Sequence, residues 1–321
     1  MSREHVGHSG IVRFAQDRVN LPKDTVNVHR AQARRLREKL DSYVREHPDF
    51  TLRKMLLSGS LSKGTALSTL NDIDVACYIA GVGDASDAAS LLSYLSQRLQ
   101  RAFPNFRSEQ VKPLTYSLTV SFRESGLNVD VVPILYSGAA DWRGWLVSQD
   151  DGSLLETSIP LHRQFIQRRK DAIPVDFAQV VRLAKWWVRQ VKRQREDFRF
   201  KSFMVELVLA YLADQGVDFA DYPEAMQAFF TFISKTGLRQ RIVFEDNYSR
   251  RSVGVFSDVV QIIDPVNPKN NVGRLYTEKQ ADAIVEEALD AGDSIDAALR
   301  APTKRETIYY WQRVFGPSFQ G

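Results

Sequence analysis

The chain has 321 residues, 44% of them hydrophobic and 26% charged, which excludes a disordered or collagen-like chain and gives enough material for two packed lobes. One cysteine, Cys77, excludes an intramolecular disulfide framework and a thiolate zinc cluster; with no apolar run for secretion or membrane spanning, a cytoplasmic protein without a membrane partner is expected. A net charge of +4 is a mild bias toward anionic ligands, too small to predict a nucleic-acid partner.

From the N-terminus, Asp24 or Thr25 caps a helix expected to reach about residue 46, where His47-Pro48 ends it. Val28, Leu36, Leu40 and Tyr43 form its apolar set, and Arg30, Arg34, Arg35, Arg37 and Lys39 read as a solvated face. The apolar run Met55-Leu56-Leu57 reads as a strand that delivers the turn Ser58-Gly59-Ser60, whose backbone amides can approach phosphate oxygens closely. Gly64 and Thr65 are expected to open a short helix, with Lys63 on the surface. Asp72-Ile73-Asp74 follows; on a strand it sends both carboxylates to one face and Ile73 to the other. Hard carboxylate oxygens beside a phosphate-cradling turn point to a Mg²⁺ site and to nucleotidyl transfer on a triphosphate.

Residues 81–87 read as a loop, and Leu91, Leu92, Leu95 and Leu99 as one face of a helix packed on a sheet. Residues 116–122 and 127–132 form two strand-like runs around a hairpin turn at Gly126. Asp130 interrupts the second run. A charge inside an apolar strand needs a partner, and a metal is the natural one, so Asp130 completes a two-metal set with Asp72 and Asp74. Gly138, Gly144 and Gly152 break the pattern between Pro133 and Pro160, so the lobes are expected over residues 1–150 and 151–321. Beyond the break Val180, Ala184, Trp187 and Val191 share a helical face whose basic end is Lys192, Arg193 and Arg195, and residues 222–235 and 278–291 also read as helices. The five histidines lack metal-like spacing, and no zinc site is predicted.

The G-S-x-x-K-G-T turn at 58–65, the D-x-D at 72–74 and the third aspartate at 130 resemble the polymerase-β-type nucleotidyltransferase superfamily. Lys185-Trp186-Trp187 in a long helix, Lys201 to Leu207, and the loop 263–273 with Asp264-Pro265 and Asn267-Pro268 resemble 2′-5′-oligoadenylate synthases and cyclic GMP-AMP synthase, in the family's order. The length, without a zinc insertion, matches the bacterial branch, the cGAS/DncV-like nucleotidyltransferases of CBASS anti-phage signalling. The resemblance implies an α+β fold: a polymerase-β-like lobe of mixed sheet and helices, a C-terminal helical-bundle lobe, and an active site in the cleft between them.

It also implies roles. Asp72, Asp74 and Asp130 would hold two Mg²⁺ ions, with Mn²⁺ a possible substitute, and Asp130 would help deprotonate the attacking ribose hydroxyl. Gly59 and Ser60 would contact the donor's β- and γ-phosphates, Lys185 and Ser202 its triphosphate tail, and Asp197 or Arg199 the base. The Asp264 loop would be a structural turn. GTP and ATP would be joined into a cyclic dinucleotide second messenger containing guanine, with pyrophosphate release, for a downstream effector. A linear oligoadenylate synthase, a small-molecule nucleotidyltransferase, and a nucleic-acid-binding sensor with residual activity are the competing readings. In part of this family a C-terminal glycine, here Gly321, is conjugated by a ubiquitin-activating-like enzyme.

Overall fold

The computed structural model describes residues 5–44, 51–81, 85–122, 126–148 and 152–321, which divide into two compact units: Leu21–Gln164, and Met1–Asn20 with Phe165–Gly321. The chain opens in the second of these with α1 (His8–Phe14) and a π-helical stretch, Ala15–Val19. The other unit holds α2 (Lys23–Val44), β1 (Thr51–Leu57), α3 (Gly59–Lys63), β2 (Asp72–Ala80), α4 (Ala85–Ala102), β3 (Val111–Pro113), β4 (Leu118–Phe122), β5 (Leu127–Tyr136), β6 (Gly144–Val147) and β7 (Leu154–Thr157). The unit boundary falls within α5 (Ile159–Ala172). Then come α6 (Asp176–Gln194), α7 (Ser202–Asp214), α8 (Tyr222–Thr236), α9 (Glu278–Arg300) and α10 (Lys304–Phe315).

The sheet runs β1-β2-β5-β4-β3, with β6 paired to the end of β5 and to β7; β2 and β5 are parallel, and the other described pairs are antiparallel. Alternation sends Ile73, Val75, Cys77 and Ile79 of β2, Val129 and Val131 of β5 and Val120 of β4 into one core with Leu36 and Leu40 of α2 and Leu91, Leu95 and Leu99 of α4. Burying each large apolar side chain contributes roughly 1.5–3 kcal/mol, which fixes the register, because a one-residue slip would reverse every side chain. The hairpin turns at Gly126, whose φ is +64°.

Three local expectations change. Val28 is 54% exposed, and His29 takes its place on the buried side of α2, because the helix packs through Ala33, Leu36 and Leu40. The loop expected over residues 81–87 is already helix at Ala85, and the stop expected at His47-Pro48 lies outside the described residues. Gly64 does not open a helix; it closes α3 in the left-handed conformation at φ +73°.

In the helical unit α6 is buried on most sides, and Trp187 packs edge-on to Phe198, Phe200, Phe229 and Phe230. Both described ends of the chain join this unit. Phe14 meets Trp186, Phe315 and Phe319, and the C-terminal tail is held down: Phe319 is fully buried and its carbonyl accepts from Gln312 Nε2 at 2.9 Å. No described helix is long and apolar enough to cross a membrane.

Candidate active site

Antiparallel pairing of Leu57 with Val75 brings the end of β1 beside the start of β2, and Ser58 N–H donates to the Asp74 carbonyl at 2.8 Å. The turn therefore sits directly against the first acidic strand. Gly59 has φ +62°, and a Cβ there would lie 1.7 Å from Asp74 Oδ2. Only glycine leaves room for that carboxylate under the turn, while Ser60 continues α3 and its carbonyl accepts from Thr65 N–H at 2.9 Å.

Parallel pairing of β2 with β5 sets Asp74 opposite Asp130 and Asp72 opposite Asn128. All four side chains share the face opposite Ile73 and Val129, as strand alternation requires. Burial, then the negative charges of Asp130 and, after Lys63, Asp72, act on Asp74, whose carboxyl is pushed up to about 6; Lys63 pulls the other way. Lys63, read from sequence as a surface lysine, thus belongs to the electrostatics of this site. Thr119 Oγ1 donates to Asp130 Oδ1 at 2.6 Å, and Asn128 Nδ2 donates to Asp72 Oδ1 at 3.2 Å. Neither partner was singled out from the sequence, although polar-x-polar spacing on both strands was there to read.

Among the described residues no three His, Cys, Asp or Glu side chains already converge on one point. The three aspartates share one face of the sheet, opposite Ile73 and Val129. Hard oxygen donors and an excess of negative charge, registered in the raised Asp74, are the chemistry that a divalent cation such as Mg²⁺ fits.

The other predicted residues belong to the helical unit. Lys185 of α6 is 5% exposed, and its Nζ contacts Glu206 Oε1 of α7 at 2.6 Å, so it lies within a buried ion pair. Ser202 is exposed at the first turn of α7. Asp197 and Arg199 alternate with buried Phe198 and Phe200, which turns both charged side chains outward. Burial first, and then Arg199, lowers the Lys192 ammonium; burial, Arg274 and Arg199 lower Lys201, so a cationic cluster surrounds the start of α7. Asp264 makes the expected turn: Oδ1 accepts from Val266 and Asn267 N–H, and Oδ2 from Asn270 Nδ2.

No family model matches the chain. It is 63% identical over all 321 residues, and over the full length of both chains, to the cyclic AMP-AMP-AMP synthase of Escherichia coli strain MS 115-1. A CBASS oligonucleotide cyclase, CdnC of Escherichia coli, is 30% identical over 315 residues, 96% of each chain. The chain belongs to the CBASS oligonucleotide cyclases. It is a nucleotidyltransferase of the cGAS/DncV-like group, acting in anti-phage signalling through a cyclic oligonucleotide. The solved structure of E. coli MS115-1 CdnC with ATP superposes on this cyclase with a TM-score of 0.91 at 63% identity, covering 99% of this chain and 100% of that one. CdnC of that strain has also been solved in complex with a HORMA protein lacking an N-terminal segment, with a TM-score of 0.90 at 63% identity over the full length of both chains. Vibrio cholerae DncV, a cyclic AMP-GMP synthase, shares the fold at a TM-score of 0.73 and 12% identity, covering 98% of this chain and 96% of that one. The α+β nucleotidyltransferase fold with a C-terminal helical region is therefore that of the family.

Proposed function

We propose that this cyclase joins three ATP molecules into a ring of adenine nucleotides, cyclic AMP-AMP-AMP. The observation that carries the reading is full-length identity of 63% to a protein named for that product. It replaces the expectation of a guanine-containing dinucleotide, which rested on the family resemblance and on Asp197 and Arg199 as the residues meeting the base.

In each transfer a ribose hydroxyl oxygen bonds to the α-phosphorus of another nucleotide, the α–β phosphoanhydride bond breaks, and pyrophosphate departs. Asp130 takes the hydroxyl proton. The Gly59-Ser60 turn holds the phosphates of the donor through its backbone amides, and the missing Cβ at Gly59 lets the Asp74 carboxylate lie directly against that turn. Asp72, Asp74 and Asp130 would hold Mg²⁺, which when bound neutralises charge developing on the phosphates. Ser202, at the first turn of α7 among Arg199, Lys201 and Arg274, offers a second set of phosphate contacts; Lys185, paired with Glu206, fixes α6 to α7 beneath it. Arg199 and Asp197 remain the residues proposed to meet the base.

For a protein partner, the complex solved for the MS115-1 relative favours a HORMA protein. Gly321, of intermediate exposure, is the residue proposed for conjugation by a ubiquitin-activating-like enzyme. The proposed compartment is the bacterial cytoplasm, where the triphosphates are.

Incubating the protein with each nucleoside triphosphate and Mg²⁺, then with phosphatase, tests the reading. ATP alone is expected to give a phosphatase-resistant product with the mass of three AMP units. A product that requires GTP would overturn the base assignment, and a phosphatase-sensitive ladder would overturn ring closure.

A further inference from the structure

Three strands present polar side chains at alternate positions on one sheet face, and the register joins them into two rungs. Asp72 of β2, Asn128 of β5 and Ser121 of β4 form one; Asp74, Asp130 and Thr119 form the next. Between the rungs Ile73, Val129 and Val120 point the other way into the core, all nearly or fully buried. Each rung ends in a hydroxyl on β4. Thr119 Oγ1 donates to Asp130 Oδ1 at 2.6 Å, and Ser121 Oγ donates to Asn128 Oδ1 at 2.8 Å while Asn128 Nδ2 donates to Asp72 Oδ1 at 3.2 Å.

We infer that Thr119 and Ser121 are positioning residues for the cation-holding carboxylates, Thr119 acting directly on Asp130 and Ser121 through Asn128 on Asp72. The inference rests on the proposed role of Asp72, Asp74 and Asp130 and adds what aims them.

The polarity of the Asp72-Asn128-Ser121 rung follows from its end. An ionised carboxylate only accepts, so Asn128 must give Asp72 its NH₂ and turn its carbonyl to β4, where Ser121 must then donate. The hydrogen bond in the Asp74-Asp130-Thr119 rung is shorter. Its 2.6 Å contact lies in the range of a hydroxyl bound to an ionised carboxylate, and the β-branched Thr119 holds that hydroxyl with little freedom about χ1. Both devices engage one named oxygen, Oδ1, of their carboxylate. They are also neutral. A lysine or arginine in the place of Thr119 or Ser121 would orient an aspartate equally well but cancel the negative charge that attracts a cation, whereas a hydroxyl or amide aims the group and leaves the charge in place.

The test is Mn²⁺ binding by titration calorimetry on the full chain, with melting temperature and turnover measured beside it. Thr119→Val keeps the shape and the strand preference while deleting the donor. It is expected to weaken Mn²⁺ binding about 10-fold and to raise by a similar factor the Mg²⁺ concentration for half-maximal turnover, with the KM for ATP at saturating Mg²⁺ unchanged. Thr119→Ser should restore most of the affinity. Ser121→Ala, the second probe should Thr119→Val misfold, should weaken Mn²⁺ binding less, since it acts through Asn128. If both variants lower the melting temperature but bind Mn²⁺ as the wild type does, the hydroxyls are merely structural and the inference is overturned. If the wild type and Asp130→Asn bind Mn²⁺ alike, the metal reading of the carboxylates itself fails, and the inference with it; that outcome is visible before any β4 variant is made.

Discussion

At Asp74 function and stability oppose each other. Burial and the neighbouring Asp130 and Asp72 raise its carboxyl from 3.8 to about 6, so the ionised form is disfavoured in the folded state. A folded value above the unfolded one means that this group's stability is complete below about pH 4 and is lost as pH rises through about 6. At pH 7.5, without divalent metal, its ionised carboxylate costs about 3 kcal/mol. Asp74→Asn should therefore melt several degrees higher than the wild type at pH 7.5 without metal, with the gap narrowing below about pH 6 and closed near pH 4, while turnover disappears. Mg²⁺ should stabilise the wild type at pH 7.5 and leave the variant unmoved; equal melting curves at pH 7.5 would refute the electrostatic reading. The turn beside it has a steric requirement as well. Gly59→Ala places a methyl 1.7 Å from Asp74 Oδ2 at a positive φ, so pyrophosphate release should fall at least about 100-fold while circular dichroism stays that of a folded chain.

At the scale of elements, one arginine ties three segments of the helical unit together. Arg169 on α5 is 7% exposed and donates to Asp214 at the end of α7 and to Asp246 between α8 and α9, with its Nη1 also on the Phe165 carbonyl. Burial works to raise Asp246, but the bonds from Arg169 and Arg168 prevail and hold it below its ordinary value. Its contribution is therefore present above the usual carboxylate range and lost as the pH falls through it. Arg169→Met strands two carboxylates and should cost about 3 kcal/mol, read as a melting temperature lower by about 6 °C at pH 7.5 with the loss smaller near pH 4. None of this was legible beforehand, since the partners lie 45 and 77 residues away in sequence. What was legible had local chemistry behind it. Asp72 and Asp74 could be put on one face because strand alternation is a two-residue rule, Asp130 could be picked out as a charge inside an apolar strand, and α6 could be found because Val180, Ala184, Trp187 and Val191 repeat at helical spacing. The pairing of Lys185 with Glu206 and the reversal of Val28 and His29 depended on tertiary packing, which no short window contains. Thr119, Ser121 and Asn128 stand between these cases: their spacing is visible, but only the register shows whose carboxylates they touch.

At the scale of the molecule, each unit owns a core, and the cores respond to different perturbations. The helical unit closes on its own N-terminal segment, where Phe14 stacks on Phe315 at 5.3 Å and meets Trp186 and Phe319 edge-on, and where Asn20 exchanges hydrogen bonds with Gln179 and accepts from Arg182. The sheet unit carries the aspartates and none of those aromatics. Phe14→Ala should therefore cost about 3–5 kcal/mol in the helical unit alone. Mg²⁺ should act on the other unit, because a cation that binds only a folded site stabilises that site's own cooperative unit. In scanning calorimetry Phe14→Ala is expected to split or broaden the endotherm, with a lower component that Mg²⁺ does not move and an upper component that it raises. A single sharp endotherm that shifts as a whole under both perturbations would show instead that the two cores unfold as one, and Phe14 would then destabilise the aspartate face along with its own surroundings.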